Sequence, residues 1–227
     1  VEIMIPEIFE SNLQIPAGDA ILEGNLRLPA DAQGLILFIH GSGSSRFSTR
    51  NRHVAQLLNQ AGLATLLFDL LTADENQIDM LTREFRFDIP LLSERSRCAI
   101  DYVARQPQLA GLPIGLFGAS TGAAAALFAA ESLPEKIKTV VSRGGRPDLA
   151  QPVLAKVQAT TLLIVGGLDY DVLQLNKQAQ SQMHAECELT VIPGATHLFE
   201  EPGTLDLAAD AAREWFLQKL GNGQSAT

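Results

Sequence analysis

From residue 35 onward, short runs of uninterrupted apolar residues alternate with longer stretches of helical periodicity. That alternation limits the fold more than any other feature of the chain. The apolar runs cover 35–39, 64–68, 114–117, 139–141, 162–165 and 189–192. A strand with one wet face alternates apolar and polar residues, so continuous runs call for strands covered on both faces, as in a parallel sheet. Helical stretches fill the intervals at 48–61, 89–105, 121–132, 172–184 and 205–220; in the last, Leu205, Ala208, Ala209, Ala212, Trp215, Phe216 and Leu220 form one stripe. This order predicts right-handed crossovers and a doubly wound α/β fold with helices on both faces of a mostly parallel, twisted sheet. Residues 13–28 differ. Their apolar and polar residues alternate on either side of Pro16 and Gly18, which predicts an N-terminal antiparallel hairpin with one wet face.

With 227 residues, 46% of them hydrophobic, the chain can bury one large core, so a single domain is expected over 1–220 with a flexible tail at 221–227. Two connections, 69–88 and 142–160, are longer than a crossover needs. Both leave the carboxyl ends of strands, where open α/β sheets bind ligands, so they are expected to wall a cleft. Neither is long enough for a large lid. The 17 basic and 26 acidic residues leave a net charge of −9, which repels a polyanion and argues against nucleic acid as a partner. Cys98 and Cys187 stand far apart with no metal-binding spacing and read as free thiols of a reducing compartment. Residues 1–11 carry Glu2, Glu7 and Glu10 and do not read as a signal peptide. No run approaches the roughly 20 apolar residues of a membrane helix. A soluble cytoplasmic protein with no membrane partner is therefore the expectation.

The chemistry centres on Gly118-Ala119-Ser120-Thr121-Gly122, between an apolar strand and an Ala-rich helix. A G-x-S-x-G pentapeptide in that context forms a sharp elbow that lifts the serine clear of the sheet, at the positive end of a helix. A serine hydroxyl becomes a useful nucleophile only beside a base, and the base needs an acid to fix its tautomer. Asp169 follows the run at 162–165, and His197 follows the run at 189–192. Ser120, Asp169 and His197 therefore fall at the same sheet edge in the chain order of an α/β-hydrolase. Asp171 and Asp148 compete as the acid, although Asp171 resembles a helix cap, while Glu200 and Glu201 read as charges favouring the start of the last helix. Two backbone N–H groups are expected to form an oxyanion hole, one from Thr121 and one near Ser42 in His40-Gly41-Ser42-Gly43-Ser44-Ser45. That segment lacks the third glycine of a dinucleotide fingerprint. His40 reads as a loop brace, and His53 and His184 have no ligand partners nearby, so neither a metal nor another cofactor is expected.

With these residues the chain resembles an α/β-hydrolase over nearly its full length, and within that group the small, lidless branch related to dienelactone hydrolase. Dienelactone hydrolase proper has a cysteine nucleophile where Ser120 stands here. The segments 40–46, 81–95 and 142–148 are similar to a bacterial subgroup whose hydrolase domain is sometimes joined to a phosphoribosyltransferase domain; no motif of that second activity is present in these residues. The resemblance implies a serine hydrolase acting on a small ester, thioester or lactone through an acyl-enzyme. A C–C hydrolase or perhydrolase using the same residues, and a non-catalytic binding or regulatory module, are the alternatives. A homodimer and an attached partner domain both stay open.

Twelve of the 17 basic residues are arginine. Arg46, Arg50 and Arg52 sit in an acid-free stretch after the 35–39 strand, and Arg143 and Arg146 follow the 139–141 strand. Guanidinium suits carboxylate or phosphate, so Arg46, Arg143 and Arg146 are candidates for holding an anionic group on the substrate. The alternative is that they pair with acids such as Asp88 or Asp148 and only fix the loops.

Overall fold

The computed structural model describes residues 8–221. Residues 1–7, and the expected tail apart from Gly221, lie outside the described residues. β1 (Ile8–Ala17) and β2 (Ala20–Pro29) form the antiparallel hairpin, starting five residues before the alternation that signals it. Gly18, at φ 65°, makes the turn with Asp19. Leu13, Ile15, Leu22 and Leu26 are buried on the inner side of this pair.

β2 pairs antiparallel with β4 (Ala64–Phe68), and every later neighbour is parallel. The other strands are β3 (Leu35–Ile39), β5 (Ile114–Ala119), β6 (Ile137–Arg143), β7 (Thr160–Gly166) and β8 (Cys187–Ile192). Together they make one eight-stranded sheet in the order β1-β2-β4-β3-β5-β6-β7-β8. β3, β4 and β5 are buried throughout, as their continuous apolar runs require. β8 is an edge strand with only Ile192 fully buried, so an apolar run there does not mean cover on both faces. β6 runs to Arg143 and takes two residues from the connection expected to start at 142.

Helices α3 (Ile89–Ala104), α4 (Thr121–Ser132) and α5 (Tyr170–Gln182) cover one face, while α1 (Thr49–Gln60) and α6 (Thr204–Leu220) cover the other. The stripe on α6 buries Ala208, Ala209, Ala212, Trp215, Phe216 and Leu220; each large side chain contributes about 2 kcal/mol. The Trp215 indole N–H, buried with the ring, donates to Thr139 Oγ1 at 2.7 Å.

One helix is not foreshadowed by apolar periodicity. α2 (Ala73–Thr82) lies inside the 69–88 connection and leaves Ile78, Met80 and Leu81 exposed. It forms because its first turn is capped: Thr72 Oγ1 accepts from the Glu75 N–H, and Glu75 Oε2 accepts from the Thr72 N–H. The same Glu75 pairs with buried Arg95, which tethers α2 to α3 and holds the Glu75 carboxyl below its usual range. Asp88 caps α3 by accepting from the Leu91 N–H and, among the described residues, forms no ion pair with an arginine.

Candidate active site

β3, β5, β6, β7 and β8 all end on one side of the sheet, and the candidate residues stand on the loops that leave those ends. Ser120 caps α4 with φ 52° and ψ −123°, a conformation that L-residues rarely adopt. The flanking glycines make the turn feasible. A Cβ on Gly118 would meet the Ala123 backbone at 2.5 Å, and one on Gly122 would meet the Ile39 carbonyl at 2.1 Å. The Ser120 backbone is also tied on both sides: its N–H donates to the Arg143 carbonyl at 3.3 Å, and its carbonyl accepts from Arg146 N at 3.0 Å.

The second half of the site comes from the loops after β7 and β8. They are joined by Gly167 N to Ile192 O at 2.8 Å and by Leu168 N to Ala195 O at 2.9 Å. Asp169 Oδ2 lies 2.6 Å from His197 Nδ1. A carboxylate can only accept, so Nδ1 carries the proton and Nε2 of the neutral ring holds the free lone pair. Asp169 also stands at the cap position of α5, but its side chain makes no capping bond. The helix therefore starts at Tyr170, and Asp171 lies in its first turn rather than at its cap. Asp148 is taken by Arg146, at 2.8 Å on each oxygen.

Glu201 serves the histidine loop instead of the last helix. Its carboxylate accepts the Thr196 N–H at 3.0 Å and the Thr196 hydroxyl at 2.6 Å, and these bonds hold the Glu201 carboxyl below its usual range. Glu200 faces Arg50 across 3.7 Å. A Glu five residues beyond a Thr-His pair is the only trace of this brace in the sequence.

Ser120 and His197 line one cavity of about 210 Å³, together with Ser42, Arg50, Arg143 and Leu198. Among the described residues no hydrogen bond joins the Ser120 hydroxyl to the ring; catalytic hydrogen bonds of this kind commonly tighten only with substrate bound. Two larger hollows, of about 520 and 570 Å³, flank Arg46 and Phe47, and neither is lined by Ser120 or His197.

Of the expected oxyanion donors, Thr121 opens α4, so its N–H has no acceptor within the helix. The Ser42 N–H is not directed freely into the cavity: it donates to Thr121 Oγ1 at 3.0 Å. The expectation of an open amide at Ser42 is corrected accordingly. His40 is a loop brace. Its Nε2 accepts the Leu70 N–H at 3.0 Å and its Nδ1–H donates to the Gly41 carbonyl at 2.9 Å. Burial pushes its pKa below the ordinary imidazole value, against the opposing effects of the Gly41 carbonyl and Asp69. His53 bonds Asp206 at 2.6 Å, joining α1 to α6. Among the described residues no group of three or more His, Cys, Asp or Glu is placed to hold a metal ion.

The three candidate arginines separate. Arg46 binds Asp69 through both its backbone N–H and its guanidinium, lies 4.3 Å over the Phe47 ring, and does not line the Ser120 cavity. Arg146 is held by Asp148, also away from the cavity lining. For both, a nearby acid fixes the guanidinium, and the expectation that they reach the substrate is corrected. Arg143 does line the cavity and has no carboxylate partner among the described residues. Its Nη2 donates to Asn51 Oδ1 at 3.2 Å, its Nη1 is buried and unbonded, and its guanidinium lies 5.6 Å and 6.0 Å from the rings of Phe117 and Phe199. Burial, aided by repulsion from Arg50, pushes its pKa down to about 10, so it remains charged at neutral pH. Asn51 is a site residue not singled out from the sequence, and Arg50 stands out there as part of the basic stretch but not as an anion-holding candidate. Both stand in the first turn of α1, within the arginine-rich segment that follows β3.

The profile of the dienelactone hydrolase family matches residues 24–220. The chain belongs to the dienelactone hydrolase family. The crystal structure of a dienelactone hydrolase from Anabaena variabilis is 52% identical, with a TM-score of 0.92 over 94% of this chain and 99% of that one. Est1E from Butyrivibrio proteoclasticus shares the fold at 18% identity, with a TM-score of 0.79 over 93% of this chain and 99% of its own. Two curated proteins from strains of Mycobacterium tuberculosis, given the provisional name phosphoribosyl transferase, are 52% identical over 97% of this chain. The chain spans 49% of their length, about half of each. With this family and this sheet, the chain has the α/β-hydrolase fold. No helix among the described residues is long and apolar enough to cross a membrane.

Proposed function

We propose that the protein is a serine hydrolase cleaving a small ester, thioester or lactone. The observation that carries the reading is the 2.6 Å bond from His197 Nδ1 to Asp169, which leaves Nε2 basic in the cavity that Ser120 also lines. His197 takes the proton of Ser120 as the hydroxyl oxygen attacks the acyl carbon, and Asp169 holds the tautomer and stabilises the imidazolium. The Thr121 N–H donates to the oxyanion. The tetrahedral intermediate collapses with loss of the alcohol or thiol, which takes the proton from His197. Water activated by the same histidine then releases the acid and restores Ser120.

Arg143 extends the reading to a substrate with an anionic group. An unpaired buried guanidinium is costly, and an anion in the cavity would complete its bonding with Arg50 beside it. A panel of small esters, thioesters and lactones, each with and without a carboxylate, tests both parts. Turnover by the wild type and none by Ser120→Ala is expected. Arg143→Gln should raise KM for the carboxylate substrates at least about tenfold more than for their neutral analogues. Equal KM changes would remove the anionic part and leave the hydrolase; turnover unchanged in Ser120→Ala would remove the hydrolase.

A further inference from the structure

The loop that faces Ser120 is braced at its start by His40 and by a turn bond from Ser44 N to the Gly41 carbonyl at 3.2 Å. Gly41 must be glycine, because a Cβ there would come within 2.9 Å of the Ala119 carbonyl and 3.0 Å of Ser120 Cβ. Gly43 follows at φ 67°. Two glycines in three residues leave the backbone between these braces permissive, so contacts from outside the loop add to its order. The main contact is the Thr121 side chain. Ser42 grips Thr121 Oγ1 twice, with its N–H at 3.0 Å and its hydroxyl at 2.8 Å. The Ser42 hydroxyl donates its own proton to the Arg86 carbonyl at 2.9 Å, so between the two hydroxyls Thr121 is the donor. Every proton in the cluster then has an acceptor.

The chain of bonds continues into the 69–88 connection. Asp79, fully buried, accepts the N–H groups of Phe85 and Arg86 at 2.9 Å each and Arg86 Nε at 2.7 Å. Burial raises the Asp79 carboxyl, but these donors outweigh it and leave the group below its usual range. The fixed Arg86 guanidinium lies against Gly43, with Nη1 3.3 Å from where a Cβ would stand.

We infer that the Thr121 side chain is a positioning residue of the hydrolase, distinct from the oxyanion role of its backbone. Its hydroxyl latches the 41–44 loop, which lines the cavity beside Ser120, to the elbow, so that the cavity wall next to the developing oxyanion keeps one geometry through the reaction. The inference rests on the serine-hydrolase reading. A helix needs no hydroxyl at its first position, and this buried one finds both its bonds on Ser42.

Thr121→Val keeps the shape and removes the oxygen. Its kcat should fall about tenfold to a hundredfold with KM within about twofold, a smaller loss than deletion of an oxyanion donor itself. Affinity for an alkylboronic acid, which forms a tetrahedral adduct on serine, should weaken by a similar factor. Thr121→Ser should recover most of both. Ser42→Ala keeps the amide bond to Thr121 but cuts the arm to Arg86, and should show a smaller loss of the same kind. Wild-type kcat in Thr121→Val overturns the latch, as does a loss that Thr121→Ser fails to recover. A wild-type enzyme that neither turns over esters nor takes the boronate at Ser120 overturns the serine-hydrolase reading itself, so the two failures are distinct.

Discussion

The two halves of the candidate site differ in balance, the first resting mainly on close backbone fit and the second mainly on side-chain bonds. Ser120 is held mainly by close backbone fit: Gly118 and Gly122 let α4 close on the ends of β3 and β5, and the Ser120 N–H and carbonyl bond the Arg143 and Arg146 backbone. His197 is held by added bonds, with Asp169 on its ring and Glu201 on the preceding Thr196. Steric fit leaves a trace in the sequence as glycine spacing. Polar bracing between loops leaves almost none. The first half is accordingly built into the core, while the second can be loosened without unfolding it.

Removing the reacting group shows the largest effect. Ser120→Ala should lower kcat about a million-fold, measured on whichever ester the wild type turns over best. Asp169→Asn leaves the ring in place with the wrong tautomer and should lower kcat about ten-thousand-fold, with an unchanged melting temperature. A larger loss of folding than of rate would break the contrast between the halves. Gly122→Ala makes the complementary test: a methyl 2.1 Å from the Ile39 carbonyl should cost about 3 kcal/mol in urea unfolding before any effect on chemistry is read. Glu201→Gln should lower kcat by less than about tenfold and leave unfolding almost unchanged, since it loosens only the histidine loop.

The smallest effect comes from His40. Its folded pKa lies below the ordinary 6.5, so the unfolded chain binds a proton that the folded chain refuses. This share of the stability is complete above that value and declines as pH falls below it. Unfolding midpoints between pH 7 and 5 should therefore decline less in His40→Gln than in the wild type.

The same contrast explains what was legible beforehand. Continuous apolar runs marked the parallel strands because cover on both faces leaves no other choice, and the edge strand β8 is where that logic loosens. α2 escaped because its apolar residues face outward and its capping box, Thr72 with Glu75, was the only signal. That Ser120, Asp169 and His197 come close together was legible because each follows a strand at one sheet edge. The Ser42 amide was not, because its acceptor is a side chain 79 residues away. Arg46 resembles Arg143 in the sequence because its partner Asp69 stands 23 residues away, whereas among the described residues Arg143, buried at the end of β6, has no carboxylate partner.

The central claim is that Ser120 is a nucleophile activated by His197. Treatment with a fluorophosphonate, followed by mass analysis of the peptides, tests it most directly. The account predicts one adduct per chain on Ser120, absent in Ser120→Ala and strongly slowed in His197→Ala. No adduct at any pH between about 6 and 9, or an adduct that persists in Ser120→Ala, would contradict it.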